Sequence, residues 1–238
     1  MEDSQRQRLR DHLVVALDVE RRDDALELVE ALGDRVARYK VGPVMFTRYG
    51  PEILGAVADR GAEIFLDLKF HDIPNTVAGS VEVAAERDDI FMMTIHASGG
   101  REMIRRAADA AGDAGPEIIA VTAMTSLDAR DVRDVAGTDD LNAWAKSLAG
   151  LALESGADGL VCSAREAAEF RSEFGRSHTL VTPGIRPAGS ASDDQKRAVT
   201  PAEGIDSGSD FLVIGRPIYQ ADDPVAVVES IGESLQAE

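Results

Sequence analysis

The sequence predicts an α/β fold, a single (β/α)8 barrel domain over residues 1–238, and three observations lead there. The 238 residues come close to the roughly 250 typical of such a barrel and are too few for two enzyme domains of comfortable size. Eight short apolar runs alternate with amphipathic, helix-patterned segments, the order of a parallel sheet covered by helices. No G-x-G-x-x-G follows the first run, which weighs against an open dinucleotide-binding sheet, and no linker or shift in composition marks a domain boundary.

Residues 13–19 (LVVALDV) read as the first strand, with Asp18 near its end, and 23–32 as a charged helix stopped by Gly33. Residues 39–43 (YKVGP) give a second strand bearing Lys40, followed by a helix over 49–60 closed by Gly61. The stretch 63–77 (EIFLDLKFHDIPNTV) opens as the third strand and turns into a helix over 74–87, with Pro74 acceptable in its first turn. Residues 90–97 (IFMMTIHA) form the fourth strand and 101–111 its helix. Residues 117–124 (EIIAVTAM) form the fifth, ending in Thr125 and Ser126, and a polar stretch leads to a helix over 141–155. Strands over 158–163 (DGLVCS), 179–185 (TLVTPGI) and 211–218 (FLVIGRPI) follow, with helices over 165–174 and 224–235. The longest irregular segment, 187–200, lies between the last two strands and reads as a functional lid over a plain loop.

Composition bounds the function. A formal charge of −18, from 43 acidic and 25 basic residues, argues against a general affinity for nucleic acid or an anionic membrane. Only four basic residues are lysine, Lys40, Lys69, Lys146 and Lys196. A surface of Asp, Glu and Arg with so little Lys suggests a salt-rich cytoplasm or a codon bias. One cysteine, Cys162, leaves no internal disulfide and fits a reducing compartment. No stretch approaches the roughly 20 apolar residues that span a bilayer, and the N-terminus lacks the apolar region of a signal peptide. The expectation is a cytoplasmic protein with no membrane partner.

Chemistry is expected where parallel strands end. Those ends read Asp18; Lys40; Asp67 with Lys69 and Asp72; His96; Thr125 with Ser126; Gly184 with Arg186; and Gly215 with Arg216. Residues i and i+2 share a face of a strand, so Asp67 and Lys69 point the same way. With acids two residues before and three after it, Lys69 suits stabilising a developing anion and donating a proton better than attacking a carbonyl. The loops after the last two strands, Pro183-Gly184-Ile185-Arg186 and Gly215-Arg216-Pro217, combine glycine backbone with arginine and suggest a phosphate site, to which the helix-like segment 201–207 would add its N-terminus. Two other uses of these residues stay open: a solvated salt-bridge cluster, and Mg²⁺ held by Asp18, Asp67 and Asp72.

The most specific run, Asp67-Leu68-Lys69-Phe70-His71-Asp72-Ile73-Pro74-Asn75-Thr76, resembles the motif of the orotidine 5'-phosphate decarboxylases. Ala16-Leu17-Asp18, Lys40-Val41-Gly42, Thr125-Ser126, Pro183 to Pro187, Asp194-Gln195-Lys196-Arg197 and Gly215-Arg216-Pro217-Ile218 support the resemblance along nearly the whole chain. The resemblance implies a cofactor-free, metal-independent barrel that converts orotidine 5'-monophosphate to uridine 5'-monophosphate and CO2 in pyrimidine synthesis. It implies Lys69 as proton donor, Asp67 beside the departing carboxylate, and Lys40 orienting that aspartate and contacting the ribose. Asp18 would hold a ribose hydroxyl, Thr125 and Ser126 the pyrimidine edge, and Gln195, Gly215 and Arg216 the phosphate, with Arg186 on the phosphate side of the closed lid. It further implies a homodimer in which Asp72 and Thr76 serve the neighbouring site. A Mg²⁺-dependent sugar-phosphate decarboxylase or lyase sharing the D-x-K-x-x-D pattern, and a non-catalytic nucleotide-binding barrel, are the alternatives.

Overall fold

The computed structural model of the chain describes residues 3–187 and 199–235. Its eight strands are β1 (Leu13–Ala16), β2 (Arg38–Val41), β3 (Glu63–Phe70), β4 (Ile90–His96), β5 (Glu117–Val121), β6 (Gly159–Val161), β7 (Thr179–Pro183) and β8 (Phe211–Ile214), closed into a barrel in chain order. The predicted (β/α)8 architecture is the observed one. Most strands are shorter than the apolar runs that announced them, because the runs continue past the last ladder bond into the loops that carry the polar residues.

The helices are α1 (Asp3–His12), α2 (Arg22–Leu32), α3 (Pro43–Tyr49), α4 (Glu52–Ala58), α5 (Pro74–Ala85), α6 (Arg101–Ala111), α7 (Ala129–Ala136), α8 (Leu141–Glu154), α9 (Ala164–Phe174), α10 (Pro201–Asp206), α11 (Arg216–Tyr219) and α12 (Pro224–Ser234). Four differ from the sequence reading, the first being α1, where no helix was expected. The predicted helix 49–60 corresponds to α4 alone, and α3 before it was not expected; Gly50 at φ +60 ends α3, and Pro51 then restarts the chain as the N-cap of α4. The polar stretch before residue 141 contains α7, whose N-terminus is closed by an Asp128–Asp131 capping box although Val132 is its one buried residue. Residues 216–218, predicted as the end of the eighth strand, are the start of α11, with Gly215 as N-cap.

The contacts divide the chain into two compact units, residues 1–68 with 182–238, and residues 69–181. In the first, β1 pairs in parallel with β2 and β8, and Leu9, Val14, Tyr39, Ile64, Leu212 and Ile231 are buried in its core. In the second, β5 pairs with β4 and β6, and α5 packs on α6. Val77 and Val81 of α5 and Met103, Ile104 and Ala107 of α6 are buried there, at the three- and four-residue spacing of an apolar helix stripe. Each large apolar side chain so buried contributes about 1.5–3 kcal/mol.

Candidate active site

Strand register builds one group of candidates within the first unit. Ala16 of β1 pairs with Lys40 of β2, and Lys40 with Phe65 of β3, so these three side chains share one face of the sheet. Two residues further along each strand direction, the next row on that face is Asp18, Gly42 and Asp67. Gly42 has no side chain, and the Lys40 ammonium rises into the space it leaves. Lys40 Nζ donates to Asp18 Oδ1 at 3.0 Å and Oδ2 at 3.3 Å and lies 3.5 Å from Asp67 Oδ2. A methyl group at Gly42 would sit 3.0 Å from that Nζ and 3.1 Å from Asp18 Oδ1.

Lys40 and Asp67 are buried, whereas the Asp18 side chain keeps 45% of its surface exposed. An apolar pair of similar volume generally serves stability as well as a buried ion pair. The array is therefore an electrostatic arrangement that the fold itself does not require. Beside it, Tyr219 of α11 is partly buried, and its phenol is pushed up by burial first and then by the Asp18 charge. Asp18, Glu20, Arg21, Tyr219 and Gln220 line an open cavity of about 370 Å³. Arg216, three residues before Tyr219, is exposed.

The remaining phosphate candidates are placed as follows. Gly184 takes φ +80, and Arg186 is buried, its backbone N–H donating to Val199 O at 3.0 Å. Gln195 lies outside the described residues. The segment expected to offer a helix N-terminus to an anion is α10. Thr200 and Glu203 form a capping box, with the Thr200 N–H donating to Glu203 Oε2 at 2.7 Å. The Glu203 N–H in turn donates to Thr200 Oγ1 at 3.3 Å.

The second unit, which β3 enters at Lys69, carries a further group of candidates. Lys69 has φ 51, whereas every other positive φ among the described residues falls on glycine. A left-handed conformation costs a residue with a Cβ about 1–2 kcal/mol, and such strain concentrates at functional positions. The Lys69 N–H donates to Thr94 Oγ1 of β4 at 2.8 Å. Past the strand end, the rings of His71 and His96 lie 5.3 Å apart, and Ser98 Oγ is 2.7 Å from His96 Nδ1 and 3.4 Å from His71 Nε2. The His96 pKa is lowered from 6.5 by burial, then by His71, then by Lys69.

Asp72 and Thr76 are exposed, as is Ile73 at 67%. The Ile73 N–H donates to Asp72 Oδ1 at 2.6 Å, and Pro74 opens α5 directly after. Thr125 and Ser126 are exposed in a turn after β5. Among the described residues no group of three or more His, Cys, Asp or Glu is arranged to hold a metal ion, and no helix is long and apolar enough to cross a membrane. The sequence reading missed Gly42 as the spacer of the ion pair, Tyr219 beside Asp18, and Thr94. A lone hydroxyl inside the apolar run of β4 was the available signal for Thr94.

Residues 11–231 match the model of the Orotidine 5'-phosphate decarboxylase / HUMPS family. A protein of Pseudoalteromonas translucida named orotidine 5'-phosphate decarboxylase is 47% identical over 227 residues, covering 94% of this chain and 97% of that protein. A protein of the same name from Escherichia fergusonii is 46% identical, covering 94% and 92%. The crystal structure of orotidine 5'-phosphate decarboxylase from Lactobacillus acidophilus superposes with a TM-score of 0.83 at 35% identity, covering 95% of this chain and all of that one.

Proposed function

The chain belongs to the orotidine 5'-phosphate decarboxylase family, and from that premise we propose that it decarboxylates orotidine 5'-monophosphate to uridine 5'-monophosphate in pyrimidine synthesis, without a cofactor. One observation carries the residue-level reading. Lys40 is held between Asp18 and Asp67, and Asp67 lies two residues before Lys69 on β3. An ammonium thus lies between two of the three carboxylates that Mg²⁺ would have needed, which favours the metal-free reaction.

The chemistry is demanding because breaking the bond from ring carbon 6 to the carboxylate leaves an electron pair in the plane of the pyrimidine, where the ring's π system cannot absorb it. Stabilisation has to be electrostatic and preorganised. Asp67 stands beside the departing carboxylate, CO2 leaves, and the Lys69 ammonium delivers its proton to carbon 6 and is reprotonated from solvent. Lys40 orients Asp67 and contacts the ribose, and Asp18 holds a ribose hydroxyl. Thr125 and Ser126 meet the pyrimidine edge. Gln195, Gly215 and Arg216 take the phosphate, with Arg186 beside it, and binding energy from this remote group raises the rate when it is realised in the transition state.

Asp72 and Thr76 complete the site of a second copy in a homodimer. Support for this is their exposure, together with Ile73, around the start of α5, a place where a single chain leaves an aspartate, a threonine and a large apolar side chain in solvent. The lone buried Cys162 fits a cytoplasmic enzyme. Turnover of orotidine 5'-monophosphate, read as loss of ultraviolet absorbance, is expected to persist in EDTA and to vanish in Lys69→Ala. Complete inhibition by EDTA, with activity on a keto-sugar phosphate, would overturn the reading.

A further inference from the structure

We propose that Thr94 is a positioning residue for the reaction, its hydroxyl holding the end of β3 in the left-handed backbone turn from which Lys69 is presented. The proposal rests on the reading of Lys69 as proton donor. It starts from an anomaly of residue type. Lys69 is the seventh of eight residues in β3, where a regular strand keeps φ near −120°, yet its φ is 51. Lysine gains nothing of its own from that conformation, since the residues that visit it cheaply are glycine and, less often, asparagine and aspartate. A distortion of this kind persists only when its surroundings over-determine it.

Thr94 supplies such a constraint. Its Oγ1 accepts the Lys69 N–H at 2.8 Å, so an amide displaced by the distortion is met by a hydroxyl. The hydroxyl is fixed in place. Thr94 is fully buried, its χ1 is stiffened by β-branching, and its strand is locked by the ladder in which Thr94 pairs with Ile119 of β5. Its residue type stands out in its strand. From Ile90 to Ile95 the run IFMMTI is apolar apart from this residue, and valine would have the same shape and suit a buried strand at least as well, without a polar atom to satisfy. One use of a hydroxyl in that setting is to hold the Lys69 amide. The group at stake is a proton donor on a four-carbon stem, and a misplacement of about 1 Å in such a group costs on the order of 10²-fold in rate.

The test compares Thr94→Val, which keeps the shape and removes the acceptor, with Thr94→Ser, which keeps the acceptor, alongside Lys69→Ala. Thr94→Val is expected to lower kcat about 10- to 100-fold while KM for orotidine 5'-monophosphate changes by less than about threefold, the signature of an interaction expressed at the chemical step. Thr94→Ser is expected to restore most of that loss, and a crystal structure of Thr94→Val to show Lys69 relaxed to negative φ. Wild-type kcat in Thr94→Val, a Thr94→Ser variant as impaired as Thr94→Val, or an unchanged positive φ in Thr94→Val would each overturn the proposal. If Thr94→Val does not fold, Thr94→Ala takes its place: a kcat deficit rescued by serine supports positioning, and equal activity of the two refutes it. Turnover retained by Lys69→Ala would instead overturn the assignment of the proton donor, an outcome read independently of every Thr94 variant.

Discussion

Lys40 holds its ammonium 3.5 Å from the Asp67 carboxylate, with both side chains about nine-tenths withdrawn from solvent. Removing the cation alone takes the ammonium away from a buried carboxylate. Lys40→Met is therefore expected to lose about 3 kcal/mol of stability and about 10²- to 10³-fold in kcat, read by thermal melts and steady-state turnover. The double variant Lys40→Met with Asp67→Leu should recover the stability and none of the activity. If the double variant is as unstable as Lys40→Met, the array is a structural element after all.

Gly42 separates stability from function. Its backbone, at φ −99 and ψ −176, suits any residue, so Gly42→Ala carries no conformational strain and reduces the entropy of the unfolded chain by about 0.4–1 kcal/mol. Its methyl, however, would lie 3.0 Å from Lys40 Nζ and push the ammonium out of place. The expected variant melts no lower than the parent yet loses about tenfold or more in kcat/KM. Parental kinetics in Gly42→Ala would show that the pair tolerates displacement.

The proposed sharing of the site between two copies makes a prediction about mixtures. Inactive Lys69→Ala and Asp72→Ala chains, unfolded and refolded together, are expected to regain activity, because one of the two sites in a mixed dimer receives Lys69 from one chain and Asp72 from the other. Each variant refolded alone should stay inactive. A mixture that remains as inactive as its parts would place Asp72 in its own chain's site.

His96 makes the fold sensitive to acid. Burial, then His71, then Lys69 hold its pKa below the 6.5 of the unfolded chain. As pH falls past 6.5 the unfolded chain takes up this proton before the native one, so stability declines from there down to the lowered native value. The melting temperature of His96→Asn should fall less steeply than that of the parent across about pH 7 to pH 5, with His71→Asn intermediate. An unchanged slope in His96→Asn would assign the acid sensitivity to other groups.

Much of the fold was legible in residue order. The apolar runs located all eight strands, and helix 101–111 was read with the boundaries observed for α6, because its buried positions recur at helical spacing between Gly100 and Gly112. Where that spacing thinned, the reading failed. Each of α1 and α7 buries at most one large apolar residue, Leu9 and Val132. The start of α1 is held by the rest of the chain instead, through Arg6 paired with Asp34 and Arg8 donating to the Leu235 carbonyl.

By itself the sequence determined the barrel, the residues at its strand ends and, through the two-residue period of a strand, that Asp67 and Lys69 start from one face. These are local properties, set by propensity and spacing. Tertiary structure decided that Lys40 reaches both Asp18 and Asp67, since register between strands depends on residues more than twenty positions apart, and that Gly42 leaves the room for it. It also decided the turn of Lys69 into positive φ, a conformation lysine does not choose and which a hydroxyl from the next strand helps to hold.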